Sequence, residues 1–291
     1  MANSLRDVKT RIASTKSTAQ TTKAMYMVSQ SKVRRAEKTF RNYQPFMNDV
    51  QNMVKNVLSK VDEEYTHPLM KEREVNKTCY LIITSDRGLA GAYNSSVNKT
   101  LDSLINENHK DKEEFVVASI GRKGYGYIKT KGYPTINNEP IFVRDDVMFM
   151  DMLPLTKSII DMYLKGKIDK LVVIYNHYIN SISQEVVTKT LLPILRIDGE
   201  VSQTEYLYEV GIEETLDMLL PMYLEDIIFG IILDAKTCEH CSRMNAMRSA
   251  SDNADEVIAK LQLLYNRARQ EVITNELIDI IGGANAIGGN E

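Results

Sequence analysis

Tryptophan is absent from this 291-residue chain, cysteine occurs three times and proline seven times. Cys79, Cys238 and Cys241 are too few for a disulfide framework and point to a soluble protein of a reducing compartment. Long apolar runs are missing too. The longest, Ile227–Leu233, is flanked by Asp226 and Asp234 and falls far short of the ~20 residues that span a bilayer. Met1–Lys9 carries charge where a signal peptide would need an apolar core, so none is expected. Histidines are scarce and scattered at His67, His109, His177 and His240. His177, beside Tyr175 and Tyr178, has no evident triad partner, and no Ser/His/Asp, Cys/His or paired-carboxylate constellation emerges. The residues therefore predict no active site, no metal centre and no cofactor.

What the chain does have is a sustained heptad at each end. A three-four spacing from Leu5 through Val8, Ile12, Ala19, Tyr26, Val33, Phe40, Met47 and Val54 to Val61 covers seventeen positions, of which only Thr15, Thr22 and Ser29 are polar. Met247, Ala250, Ala254, Val257, Leu261, Leu264 and Ala268 repeat it near the other end, with a phase shift to Ile273, Leu277 and Ile280. Heptads of this length argue for a coiled coil rather than a core helix. Residues 1–60 hold 12 basic and 3 acidic side chains, whereas residues 205–291 hold 6 basic and 16 acidic ones. Two helices of opposite charge are suited to pair with each other, which leaves little reason to invoke nucleic acid for the basic one. At about 1.5 Å per residue, some 55 residues make a rod of roughly 80 Å, longer than a compact domain is wide. Such a rod is expected to project and touch a partner.

Between the ends the texture changes. CYLIIT (79–84), FVVASI (115–120) and LVVIY (171–175) read as buried strands, with helices at 95–108, 123–131 and 152–164 between them. This alternation predicts a small, mostly parallel, Rossmann-like α/β layer, with 185–189 as an antiparallel edge strand. Pro45, Pro221 and Gly230 are expected to kink their helices, and Gly282 and Gly283 to stop the last one. The predicted fold is α/β plus a long antiparallel coiled coil: helices 1–62 and 210–287 pair into a rod, and an α/β domain, 76–204, is inserted between them.

Two motifs invite chemistry. Ser85–Asn94 is a glycine-bearing turn between strand and helix, where phosphate can be cradled, yet it lacks the Lys-Ser/Thr of a P-loop and the dinucleotide glycine spacing. A tight turn is the better reading, and Gly121, Gly124 and Gly126 take the same one. Cys238-Glu239-His240-Cys241 resembles half a zinc or redox site, but no second ligand pair exists. Both thiols are read as small residues on a helix face. Polar and basic residues in TTKAMYMV (21–28) and RARQEVIT (267–274) depart from a purely structural seam and suggest a partner surrounding the rod.

SLRDVKTRIASTKSTAQTTKAM (4–25), ITSDRGLAGAYN (83–94), YLYE (206–209) and EHCSRMNAMRSASDNADEVIAKLQLLYNRARQEVITNELIDIIGGANAI (239–287) are what make the chain resemble the γ subunits of F-type ATP synthases, of the bacterial type, over nearly its whole length. The resemblance implies a non-catalytic rotor shaft that turns in a ring of α and β subunits. Its α/β head stands with ε on the membrane ring of c subunits, at the cytoplasmic face of the cell membrane. Rotation would couple ion flow through the c ring to ATP synthesis or hydrolysis. By motif, Lys23, Met25, Arg243, Arg269, Gln270 and Thr274 are implied at the α/β-ring contact. Tyr206, Tyr208 and Glu209 are implied at the foot near ε and the c ring, and Ile278–Ile287 as an apolar tip. The regulatory dithiol of plastid relatives lies in an insertion that this chain lacks, so thiol control by that route is not expected. A static coiled-coil scaffold with an α/β head is the rival reading, and a nucleotide-using enzyme built on Ser85–Asn94 the third.

Overall fold

The computed structural model describes residues 5–61, 66–195 and 211–288, with side chains described as far as residue 284. A helix α1 (Leu5–Leu58) is followed by strand β1 (Thr78–Ile83), α2 (Tyr93–Asn108), β2 (Phe115–Ile120), α3 (Arg122–Lys131), α4 (Phe149–Leu164), β3 (Lys170–Tyr178), β4 (Gln184–Leu192) and α5 (Ile212–Gly288). The sheet order is β2-β1-β3-β4. β1 runs parallel to β2, with Thr78 opposite Phe115, and parallel to β3, with Thr78 opposite Lys170. β4 closes one edge antiparallel to β3, with Tyr175 opposite Val187. The expected mixed layer is what forms.

β1 and β2 are buried along their full length. A continuous β-branched and apolar run suits a strand covered on both faces. One face, with Tyr80, Ile82, Val117 and Ile174, packs on Val97, Leu101 and Ile105 of α2 and Ile128 of α3. The other face, with Cys79, Leu81, Ala118 and Val173, packs on Ile159 and Tyr163 of α4, Val50 and Val54 of α1, and Leu220 and Leu224 of α5. Each fully buried aliphatic side chain contributes about 1.5–3 kcal/mol. The terminal helices are thus part of the head's core.

The chain divides into two compact units, residues 1–28 with 244–291 and residues 29–243. The start of α1 shares a unit with the end of α5, and the remainder of α1 shares one with the start of α5, as antiparallel pairing requires. In the first unit Val8 and Ala19 of α1 and Met247, Ser251, Ala254 and Leu261 of α5 are buried at heptad spacing. The polar seam position Thr22 turns its hydroxyl to the carbonyls of Thr18 and Ala19, at 3.0 and 3.1 Å, so no donor is left bare. Ile273, Leu277 and Ile280, expected to continue the seam in a shifted phase, are exposed instead.

In the larger unit the paired helices meet through apolar contacts and through the Tyr43 hydroxyl, which donates to Asp226. Lys32 and Glu37 of the basic helix engage Asp145 and Tyr178 of the head rather than α5. Pro45 and Pro221 lie inside continuous helices. The expected stop at Gly282 and Gly283 does not occur, because α5 continues to Gly288. Neither glycine adopts the left-handed conformation that closes a helix, and a Cβ at either would meet nothing. Glycine permits a stop; it does not impose one.

Candidate functional site

Of the residues suggested for contact with the surrounding ring, Lys23, Arg269, Gln270 and Thr274 fall on exposed helix surface, and Met25 and Arg243 do not. Lys23 is exposed and Met25 half-buried on α1. Arg269, Gln270 and Thr274 are exposed on α5, and Thr274 returns its hydroxyl to the Gln270 carbonyl at 2.8 Å, one turn back. Along α1, Thr10, Thr15, Thr18 and Thr21 do the same with the carbonyls of Arg6, Arg11, Ser14 and Ser17. These threonines therefore turn their hydrogen-bonding groups inward. On α5, Leu263 before Arg269 and Leu277, Ile278, Ile280 and Ile281 after Thr274 are also exposed. Tyr206, Tyr208 and Glu209 lie outside the described residues.

Arg243 is held within the head. Its side chain is only 11% exposed; it pairs with Glu239 at 2.8 Å and donates through Nη2 to the Arg87 carbonyl at 3.1 Å. It thereby anchors the Ser85–Asn94 turn. Asn94 Oδ1 accepts the Ser85 backbone N–H at 2.9 Å, and the Ser85 hydroxyl reaches the Arg87 carbonyl at 2.6 Å. Asp86 accepts the Arg122 N–H at the start of α3 and, with its other oxygen, the Val143 N–H. The next α3 amides donate to the Ser85 carbonyl and the Thr84 hydroxyl. A helix N-terminus attracts anions, but here the chain's own carboxylate sits there. Gly121, at φ +96, and Gly124 are needed because a Cβ at either would run into Thr84. The tight-turn reading fits this geometry.

The middle of α5 is buried within the head and unusually polar. Cys238 and Cys241 are fully buried, and burial pushes both thiols up from their ordinary range. A thiol held protonated is a poor nucleophile and a poor metal ligand. Among the described residues no group of three or more His, Cys, Asp and Glu is arranged to hold a metal ion. Asp234 accepts from the Tyr178 N–H at 3.0 Å and pairs with His177 at 2.6 Å; burial raises its carboxyl. Lys236, 7% exposed, donates to the Val143 carbonyl at 2.8 Å and pairs with Glu239 at 2.9 Å.

His240 is 3% exposed, and burial lowers it to about 4. A neutral ring can donate from Nε2 to Asp145, 3.2 Å away, while Nδ1 has no hydrogen-bond partner among the described residues. Asp145 also meets Lys32 at 2.6 Å and Lys236 at 3.6 Å. Burial would raise its carboxyl, but the Lys32 hydrogen bond and the charges of Lys236 and His240 hold it at about 2. Sequence reasoning missed Asp145. The i,i+3 and i,i+4 spacing of Lys236, Glu239 and Arg243 was the one visible signal of a charged cluster.

A family model described as ATP synthase matches residues 4–287. Among solved structures, the chain is similar to one from the central stalk and c-ring of Tetrahymena thermophila mitochondrial ATP synthase. Identity is 25%, coverage 79% of this chain and 99% of that one, and TM-score 0.61. It shares its fold with a chain of Euglena gracilis mitochondrial ATP synthase in the OSCP/F1/c-ring assembly, at 18% identity, 100% and 97% coverage and TM-score 0.67. A chain of the rotor of the same organism's enzyme shares it too, at 16% identity, 94% and 100% coverage and TM-score 0.64. Among the described residues no helix is long and apolar enough to cross a membrane.

Proposed function

Since the chain belongs to the ATP synthase family and is one of its γ subunits, the non-catalytic rotary subunits of the central stalk, we propose that it couples ion flow through the c ring to ATP synthesis and hydrolysis at the ring of α and β subunits by turning within that ring. The chain is part of a membrane-bound complex, and its station in this reading is the cytoplasmic face of the cell membrane. Residues 1–62 and 210–287 serve as the shaft. Residues 76–204 serve as the head, which stands with ε on the c ring through Tyr206, Tyr208 and Glu209.

Lys23, Met25, Arg269, Gln270 and Thr274 meet the α/β ring, and Arg243 joins them with its guanidinium already oriented by Glu239. The basic members face acidic loops of β, a contact made and broken as each site closes. Exposed charges suit that use, because they set specificity and rate without locking the partner. Turning also requires few directional bonds to hold the shaft at one angle. The inward hydroxyls of Thr10, Thr15, Thr18 and Thr21 and the exposed Ile278, Ile280 and Ile281 support this reading.

The family match across residues 4–287 is the observation that carries the proposal. Reconstitution with purified α and β subunits, with a bead on the head and ATP supplied, tests it. Stepwise, one-directional rotation is expected. ATP hydrolysis beneath a stationary bead would overturn it in favour of a static scaffold.

A further inference from the structure

The buried charges of α5 need a reason, since an apolar helix would pack in the head at lower desolvation cost. Their partners supply one. Three separate loops of the head each bond to the short stretch of α5 between Asp234 and Arg243. The turn after β1 reaches it through the Tyr93 hydroxyl, which donates to the Ala235 carbonyl at 2.9 Å, and through the Arg87 carbonyl, which accepts from Arg243. The β3–β4 hairpin reaches it through Tyr178 and His177 on Asp234, and through the Ser181 carbonyl, which accepts from the Cys241 thiol at 3.1 Å. The third loop reaches it through Val143 and Asp145. The driving force of apolar burial is non-directional and does not by itself select one angle of a helix within its socket. Directed hydrogen bonds and ion pairs placed around the helix resist its turning.

Asp145 differs from the other anchors. One carboxylate grips Lys32 of α1 at 2.6 Å through Oδ2 and faces His240 and Lys236 of α5 through Oδ1. It ties both terminal helices to the same point of the head. We propose that Asp145 is the pin that transmits torque between the α/β head and the two terminal helices, a positioning residue for rotary coupling. This inference rests on the rotor reading above. Without Asp145 Lys32 loses its carboxylate partner, Lys236 keeps only Glu239 and the Val143 carbonyl, and this contact between the loop and α1 is gone.

The test uses the assembled complex with the α/β ring fixed to a surface and a gold rod on the head. Thermal angular fluctuations of the rod are recorded without ATP, then rotation with ATP. Asp145→Ala is expected to widen the angular variance by less than about 1.5-fold, the value for losing one of three equal parallel anchors, because the Val143 carbonyl still holds Lys236, while step size is kept. Asp145→Glu should restore most of the stiffness, and Lys32→Met should soften the joint alone. Asp145→Asn keeps the side chain's shape and should widen the variance too, which covers an alanine variant that fails to assemble. A variance unchanged in Asp145→Ala or Asp145→Asn overturns the pin. A rod that never rotates in the unsubstituted complex overturns the rotor reading instead, and the fluctuations without ATP still judge the joint.

Discussion

Met47 of α1 rests its thioether in the notch that Gly230 leaves on α5: a methyl group added to Gly230 would collide with Sδ and Cε of Met47. In an exposed helix, glycine to alanine stabilises by about 1 kcal/mol. Here the added methyl displaces only Sδ and Cε, the flexible end of the half-buried Met47, which can swing aside at small cost. Gly230→Ala is therefore expected to change stability in urea unfolding by no more than about 1 kcal/mol, the propensity gain offsetting the displacement of Met47. Gly230→Ala combined with Met47→Ala should be more favourable than the sum of the two single changes. A destabilisation by Gly230→Ala well beyond about 1 kcal/mol would show that Met47 is locked in the notch.

The two cysteines of α5 should behave as packing residues. Both are buried and their thiols are pushed up by burial. Reactivity follows the thiolate, so neither should be alkylated at pH 8 in the folded protein, and both should react once it is unfolded in urea. Cys238→Ser with Cys241→Ala is expected to leave coupled ATP synthesis unchanged. A large loss of synthesis in that variant would revive a redox or metal role.

His240 makes stability depend on pH with a definite sign. Burial holds its folded value at about 4, whereas the unfolded chain titrates near 6.5. Between those values the unfolded state binds a proton that the folded state refuses, so stability falls as pH drops from 6.5 towards 4 and levels off below. The loss is on the order of 3 kcal/mol by linkage. Asp145, held at about 2, acts in a lower window: its contribution persists down to about pH 4 and fades as pH falls towards 2. Denaturant unfolding at pH 5 and pH 7 checks the first effect. His240→Gln should flatten the difference between the two, and an equal difference in that variant would assign the dependence to other groups.

Much of the fold was legible because its signals are local. FVVASI is β2 to the residue, and the run of β-branched side chains that announced it is what a doubly covered strand requires. The heptads named the helices for the same reason. What stayed hidden depends on contacts distant in sequence. Lys236 and His240 meet Asp145, far away in the chain, only once the head is folded. Gly282 and Gly283 misled because glycine's freedom is a local property, while helix termination depends on whether anything captures the last carbonyls. Among the described residues suggested for partner contact, Arg243 alone hydrogen-bonds within the head, and no spacing rule could pair it with the Arg87 carbonyl.

Met25 separates folding from coupling most sharply. It is half-buried on α1, with Lys23 exposed two residues earlier. A lysine there can lay its methylene stem over the space the methionine fills and carry its ammonium to the surface. Met25→Lys is therefore expected to cost no more than about 1 kcal/mol in helix stability, the range of tolerated surface exchanges. Its effect on the machine should be larger, because it sets a new cation against the loops proposed to face Lys23. A desolvated ion pair formed in one rotational state and broken in the next raises the barrier between them. The expected outcome is an assembled complex that hydrolyses ATP but pumps fewer ions per ATP, most clearly at low salt, where the added attraction is least screened. Measuring pumping and hydrolysis on the same vesicles at two ionic strengths checks this. An unaltered ratio would remove Met25 from the contact, and a complex that fails to assemble would mean the seam, not the ring, is what the lysine disturbs.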